Sequence, residues 1–210
     1  MKIEIWSDVV CPFCYIGKRH LEKALEQLPE IDVEINWKSF ELDPNAPVDS
    51  ELDIYDMLAK KYGHDREWAQ QMNANMVQMA EKAGLKYDMD SVQPTNSFNA
   101  HQLIHLAKNY GKQDEMKEAL LKAYFTEGKH IGNPEVLKEI AKSIGIDSQE
   151  AARVIDDNTY SNKVMEDVEQ AHRLGVQGVP FFYIDEKYGL SGAQPVEAFV
   201  DALTKINAEK

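Results

Sequence analysis

Residues 2 to 7, KIEIWS, alternate Ile3 and Ile5 with polar neighbours, the two-residue period of a half-buried strand. Pro12 then falls just inside the start of a helix, where its missing N–H costs no hydrogen bond. Tyr15, Ile16, Leu21, Ala24, Leu25 and Leu28 follow at three- and four-residue spacings until Pro29 ends the run. A second alternation through Val33, Ile35, Trp37 and Phe40 predicts a strand over about residues 31 to 42. The chain opens strand, helix, strand.

After Asp43-Pro44-Asn45-Ala46-Pro47 the period changes to that of helices, broken by Gly, Asn or Pro. The spacing predicts helices over about 52 to 61, 65 to 83, 97 to 109, 112 to 126, 134 to 143, 148 to 156 and 160 to 174, with no strand between them. Apolar Phe181 to Ile184 follow Gly178-Val179-Pro180, Tyr188 to Ser191 give a short further strand, and Pro195 opens an amphipathic closing helix. The fold class is α/β, with the order β-α-β, a helical block, then α-β-β-α. Residues 1–42 and 159–210 form the sheet unit, and residues 43–158 form an inserted all-helical domain. The insertion has no strand partner of its own, so it is expected to dock on the sheet unit with the active cleft between the two.

The chain has 210 residues, 43% of them hydrophobic. A chain of this size buries roughly 70% of the surface its unfolded form exposes, so it needs no disulfide or metal to hold its core. Against 23 basic side chains stand 36 acidic ones, a net charge of −13. That balance repels nucleic acid and anionic lipid. No apolar run approaches the roughly 20 residues that span a bilayer. The N-terminus starts at Met1 and enters the first strand without a basic and apolar leader, so the expected compartment is cytoplasmic.

Both cysteines, Cys11 and Cys14, sit in one Cys-x-x-Cys at the strand-to-helix transition. Unpaired N–H groups and the positive end of the helix dipole stabilise a thiolate at the helix start and do less for one a turn further in. Cys11 is therefore expected to be the lower-pKa attacking thiolate, and Cys14 the thiol that resolves the mixed disulfide. A structural zinc would need about four Cys or His ligands, and only these two cysteines are present. A structural disulfide closing so short a loop gains little. Burial as small apolar residues leaves their shared place at one helix start unexplained. No metal site is expected.

Three stretches carry a resemblance: SDVVCPFCYIGKRHLE at 7 to 22, NSFNAHQLIHLAK at 96 to 108, and GVQGVPFFYIDEKYGLSGAQPVEAF at 175 to 199. Over essentially its full length the chain resembles the DsbA-like branch of the thioredoxin superfamily, in particular the FrnE-like group of predicted dithiol-disulfide isomerases. The resemblance implies a thioredoxin fold with a helical insertion, as the periodicity does. It also implies that Pro180 is a cis proline opposite the cysteines, with Val179 extended so that its backbone can pair with a substrate. Pro12 and Phe13 replace the Pro-His pair of periplasmic DsbA, whose histidine stabilises the reduced thiolate. A potential milder than DsbA's roughly −120 mV is expected, suited to reduction or isomerisation.

The same resemblance makes Asn96, Asn99 and His101 candidate substrate-facing residues. Helix packing against the sheet unit is the alternative, favoured for His105. His101 and His105 lack the glutamate of HExxH, which excludes zincin chemistry. Asp8, three residues before Cys11, is a candidate proton relay or substrate contact, with a loop-capping role as the alternative. Ser191 precedes the last helix, whose start could receive a carboxylate, although Ser-Gly-Ala-Gln-Pro is also ordinary turn chemistry. Met72, Met76 and Met79 are read as core. The expected activity is dithiol-disulfide exchange on a protein or small-molecule thiol or disulfide, with no cofactor beyond glutathione as a candidate co-substrate. Two alternatives stand beside it. One is a glutathione-dependent isomerase or transferase of the kappa or hydroxychromene-carboxylate type, which lacks the resolving thiol; the other is a peptide-binding module without turnover.

Overall fold

The computed structural model describes residues 1–209. Strand β1 (Lys2–Ser7) is an inner strand of a four-stranded sheet of order β2-β1-β3-β4, completed by β2 (Glu34–Ser39), β3 (Phe181–Ile184) and β4 (Tyr188–Ser191). β2 is parallel to β1, which requires a crossover, and α1 (Pro12–Glu26) supplies it. β3 and β4 are antiparallel additions. The register sets Ile3 and Ile5 between Ile35 and Trp37 on one side and Ile184 and Phe182 on the other. α1 and the closing α9 (Val196–Ala208) pack together beside this layer, where the Phe182 and Phe199 rings meet edge-on at 4.8 Å. Trp6, Phe181 and Tyr183 turn to the opposite face, which α8 (Ser161–Arg173) covers by accepting the Trp6 indole N–H on the Asp167 carbonyl at 2.8 Å.

The insertion consists of α2 (Ile54–Tyr62), α3 (Arg66–Ala83), α4 (Phe98–Lys108), α5 (Gln113–Phe125), α6 (Pro134–Ser143) and α7 (Ser148–Asp156). All the helices that periodicity predicts are present, with ends displaced by at most two residues. Asp53, Asp65 and Asp147 cap α2, α3 and α7 through their carboxylates, which accept first-turn N–H groups. The second strand is shorter than its alternation suggests, because Ile31 closes a turn onto Leu28 before pairing begins. A short 3₁₀ turn at Met89–Ser91, too brief to show a period, was not predicted. Of the methionine stripe only Met76 is core, and Met79 is exposed because α3 presents that flank to solvent.

The insertion is not a separate body. One buried cluster runs from Ile3, Ile5 and Phe182 of the sheet to Leu103, Leu120 and Leu137 of the insertion. At its seam the Gln113 side-chain amide imitates a neighbouring strand: it accepts the Trp37 N–H and donates to the Trp37 carbonyl, both at 2.9 Å. This finishes the outer edge of β2 and fixes α5 against the sheet.

Candidate active site

Cys11 is the N-cap of α1, with extended backbone (φ −99°, ψ 113°), and Pro12 holds the first helical position. The cap leaves Cys14 one turn in, its N–H donating to the Cys11 carbonyl at 3.1 Å. Both thiols are free; Cys14 is fully buried and Cys11 is 3% exposed. The Val179–Pro180 bond is cis, as the resemblance implied. The Cys11 thiol reaches the Val179 carbonyl at 3.6 Å, and the Gly192 N–H holds the Pro180 carbonyl at 2.8 Å. Gly17 lets α1 come this close to β3, since a β-carbon there would stand 2.9 Å from Pro180 Cγ. On the insertion side the Tyr87 hydroxyl donates to the Pro12 carbonyl at 2.7 Å, its ring stacked between Tyr15 and Phe125.

Behind the thiols lies a closed polar layer. The Asp8 carboxylate is wholly buried and accepts the Leu42 N–H at 2.8 Å and the His101 Nε2–H at 3.2 Å. Burial raises the Asp8 pKa, but the His101 bond and charge, with the Leu42 N–H, outweigh it and hold the carboxyl below its ordinary value. Burial pushes the His101 pKa down, and its Nδ1 has no hydrogen-bond partner among the described residues. The Lys117 ammonium on α5, also fully buried, donates to the Ser7 carbonyl at 3.2 Å.

This layer divides the charge between the thiols. The hydrogen bond shared with Cys14, then burial, then the Cys14 and Asp8 charges push Cys11 well above the ordinary thiol value. Burial alone would raise Cys14 too, but the hydrogen bond from Cys11 and the Lys117 charge bring it below. The Lys117 cation favours charge on Cys14, whereas Asp8 repels charge on Cys11.

Asp8 and His101 are also corrected as substrate contacts, since both are sealed at 0% exposure, where no substrate reaches them. Asn96 braces a loop, donating to the Pro44 and Ala46 carbonyls, and Asn99 accepts from Gln102. Ser191 is exposed at the end of β4, its carbonyl taken by the Gln194 side chain. His105, partly buried, packs against Ser39 and Asp167. What flanks Cys11 at the surface is Phe13, 40% exposed, with half-buried Pro12 and Val179. A cavity of about 550 Å³ follows the seam between α1 and α5, lined by Lys18, Glu22, Asp114 and Glu118.

Two thiols at the head of the first helix and a cis proline leading into an antiparallel strand are how thioredoxin-fold proteins present a dithiol, and the sheet order places the chain in that class. Within it, the chain belongs to the DSBA-like thioredoxin domain family, whose sequence model matches residues 2–204. It is similar to a Streptomyces coelicolor structure described as a probable DsbA oxidoreductase, SCO1869: 39% identity, TM-score 0.95, covering 100% of this chain and 91% of that one. At the level of fold alone it is similar to a 2-hydroxychromene-2-carboxylate isomerase, with 14% identity, TM-score 0.74, and 100% and 97% of the two chains covered. The cytosolic disulfide reductase DsbM from Pseudomonas aeruginosa, in its structure with GSH, gives 16% identity, TM-score 0.70, and 99% and 100% coverage.

Proposed function

We propose that the protein is a thiol-disulfide oxidoreductase that reduces or isomerises disulfides through Cys11-Pro12-Phe13-Cys14. The observation that carries the reading is the Cys11 thiol at 3.6 Å from the carbonyl preceding cis-Pro180, with Cys14 sealed directly behind it. The reactive sulfur is the Cys11 thiolate, the more accessible of the two. It attacks a substrate disulfide, forming a Cys11–substrate bond and releasing one substrate thiolate. Cys14, once deprotonated, attacks the Cys11 sulfur, closes the Cys11–Cys14 disulfide and releases the second thiolate, so two electrons pass to the substrate. Two thiols of low molecular weight, with glutathione as the candidate, return the pair to its reduced form and leave as their own disulfide. The chemistry calls for no metal or organic cofactor.

Phe13 in place of a thiolate-stabilising histidine favours this direction over oxidation, as does placement in a reducing, cytoplasmic setting of the kind named for DsbM. This is also the FrnE-like reading. A glutathione-dependent isomerase or transferase is the second reading, supported by the fold likeness to the chromene-carboxylate isomerase, and Cys14 separates the two. With Cys14→Ala, disulfide exchange stalls as a trapped Cys11 mixed disulfide visible by intact-protein mass. Survival of glutathione conjugation in that variant, without trapping, would establish the second reading instead.

A further inference from the structure

Tyr87 belongs to the segment that follows α3, and the Asp88 N–H beside it is tied to the Phe125 carbonyl at the end of α5 at 2.8 Å. Its ring, buried at 8% exposure, is stacked between two others, 6.1 Å from Tyr15 and 4.8 Å from Phe125, with interplanar angles of 23° and 24°. Held in this way, the hydroxyl donates to the Pro12 carbonyl at 2.7 Å. A residue of the insertion thereby fastens the first turn of the helix that Cys11 caps. Burial, then the Cys11 charge, push the Tyr87 pKa up, so the hydroxyl keeps its proton and remains a donor.

The bonded carbonyl shares its amide with the Phe13 N–H. The side chain of a residue that caps a helix start draws on the N–H groups of the second and third helical residues. Here the third, Cys14, already donates to the Cys11 carbonyl at 3.1 Å, and Pro12 before them has no N–H to give. The Phe13 N–H is what remains for the Cys11 sulfur. As a neutral thiol that sulfur is a donor, engaged by the Val179 carbonyl at 3.6 Å. Loss of its proton makes it an acceptor, and hydrogen bonds in series strengthen one another by about 10–30% per bond.

We infer that Tyr87 is a positioning residue for the attacking sulfur: its hydroxyl, brought by the inserted helical domain, holds the Pro12 carbonyl so that the Phe13 N–H of the same amide is aimed at the Cys11 thiolate and polarised as a donor to it. The inference rests on the redox reading above and adds to it a group, 76 residues along the chain from Cys11, that supports the attacking form. The titratable and charged groups facing Cys11 are Cys14 on its own helix, Asp8 beyond β1 and Lys117 on α5. The hydrogen bond shared with Cys14, burial, and the Cys14 and Asp8 charges all oppose charge on Cys11, so a donor directed at that sulfur has a defined task.

The test uses the full chain. In a Cys14→Ala background the rate of alkylation by iodoacetamide against pH reads the titration of Cys11 alone. Tyr87→Phe keeps the ring between Tyr15 and Phe125 and removes only the donor; it moves the midpoint up by about 0.2 to 0.6 pH units. Tyr15→Phe is the comparison, because its hydroxyl meets Glu118 at 2.6 Å and not the Pro12 carbonyl, and it leaves the midpoint in place. A midpoint unmoved by Tyr87→Phe, or moved equally by both substitutions, overturns the inference. A Tyr87→Phe chain that does not fold overturns it as well, since the hydroxyl is then a structural group. A native chain that forms no glutathione-reducible Cys11–Cys14 disulfide overturns the redox reading instead, a result the alkylation profile does not share.

Discussion

Gly17 and Pro180 meet so closely that a single added carbon on Gly17 would come within 2.9 Å of the proline ring and 3.3 Å of Phe182. Glycine inside a helix costs roughly 0.5–1 kcal/mol against alanine, so its place here answers to the approach of α1 to the proline. Gly17→Ala is expected to destabilise the protein by about 1–2 kcal/mol, because overpacking outweighs the gain in helix propensity. Gly17→Val is expected to cost more. Urea midpoints measure the loss, and the rate of glutathione exchange at Cys11 should fall with them; a Gly17→Ala protein of higher stability and full rate would contradict this contact.

Phe13 is 40% exposed, so changing it should leave the fold within about 0.5 kcal/mol. Phe13→His restores a donor beside the thiolate and should make the protein a stronger oxidant. The glutathione equilibrium should move toward the dithiol, and no movement would remove Phe13 as the cause of a mild potential.

The buried Asp8 and His101 pair should behave as one unit. His101→Leu leaves the Asp8 carboxylate without its main partner and is expected to cost about 3 kcal/mol. Asp8 is held below its ordinary 3.8, so its contribution to stability is complete above that value and is lost as pH falls through the depressed folded pKa. Acid unfolding of the native chain should be steeper than that of Asp8→Asn; identical acid profiles would refute the assignment.

Glu41, beside the Leu42 amide that binds Asp8, has the opposite sign. Burial, then repulsion from Asp8, raises it from 4.5 to about 7. Its neutral form is preferred in the folded state, so the stability it contributes is present below 4.5 and is lost as pH rises through 7. Glu41→Gln should therefore be more stable than the native chain at pH 8, by on the order of 1 kcal/mol after screening, with the advantage shrinking as pH falls. Denaturant midpoints across that range decide it.

The periodicity of Ile3 and Ile5, the helical spacings after Pro47 and the position of Pro12 made the elements legible, because each is written in neighbouring residues. The thiols and Pro180 were legible for a second reason: their motif and its likeness to known proteins. The layer behind them was not. Asp8 and His101 are 93 residues apart, and nothing local marks them as partners. Lys117 reads as a solvated helix residue, yet a signal was there: it falls in register with Gln113, Leu120 and Leu121 on the buried face of α5. A lysine in an apolar stripe asks for an anion inside the fold.

Gln113, Lys117 and His101 all reach the β1 and β2 region from helices inserted after those strands. A protein engineer who grafted the β1–α1 segment with its Cys-x-x-Cys onto a bare thioredoxin scaffold would transplant the sulfurs without their electrostatic setting. The same holds for exchanging the insertion with a relative's. The sheet unit and the insertion cannot be reassorted here as independent modules, and drift in one half of the chain must be answered in the other.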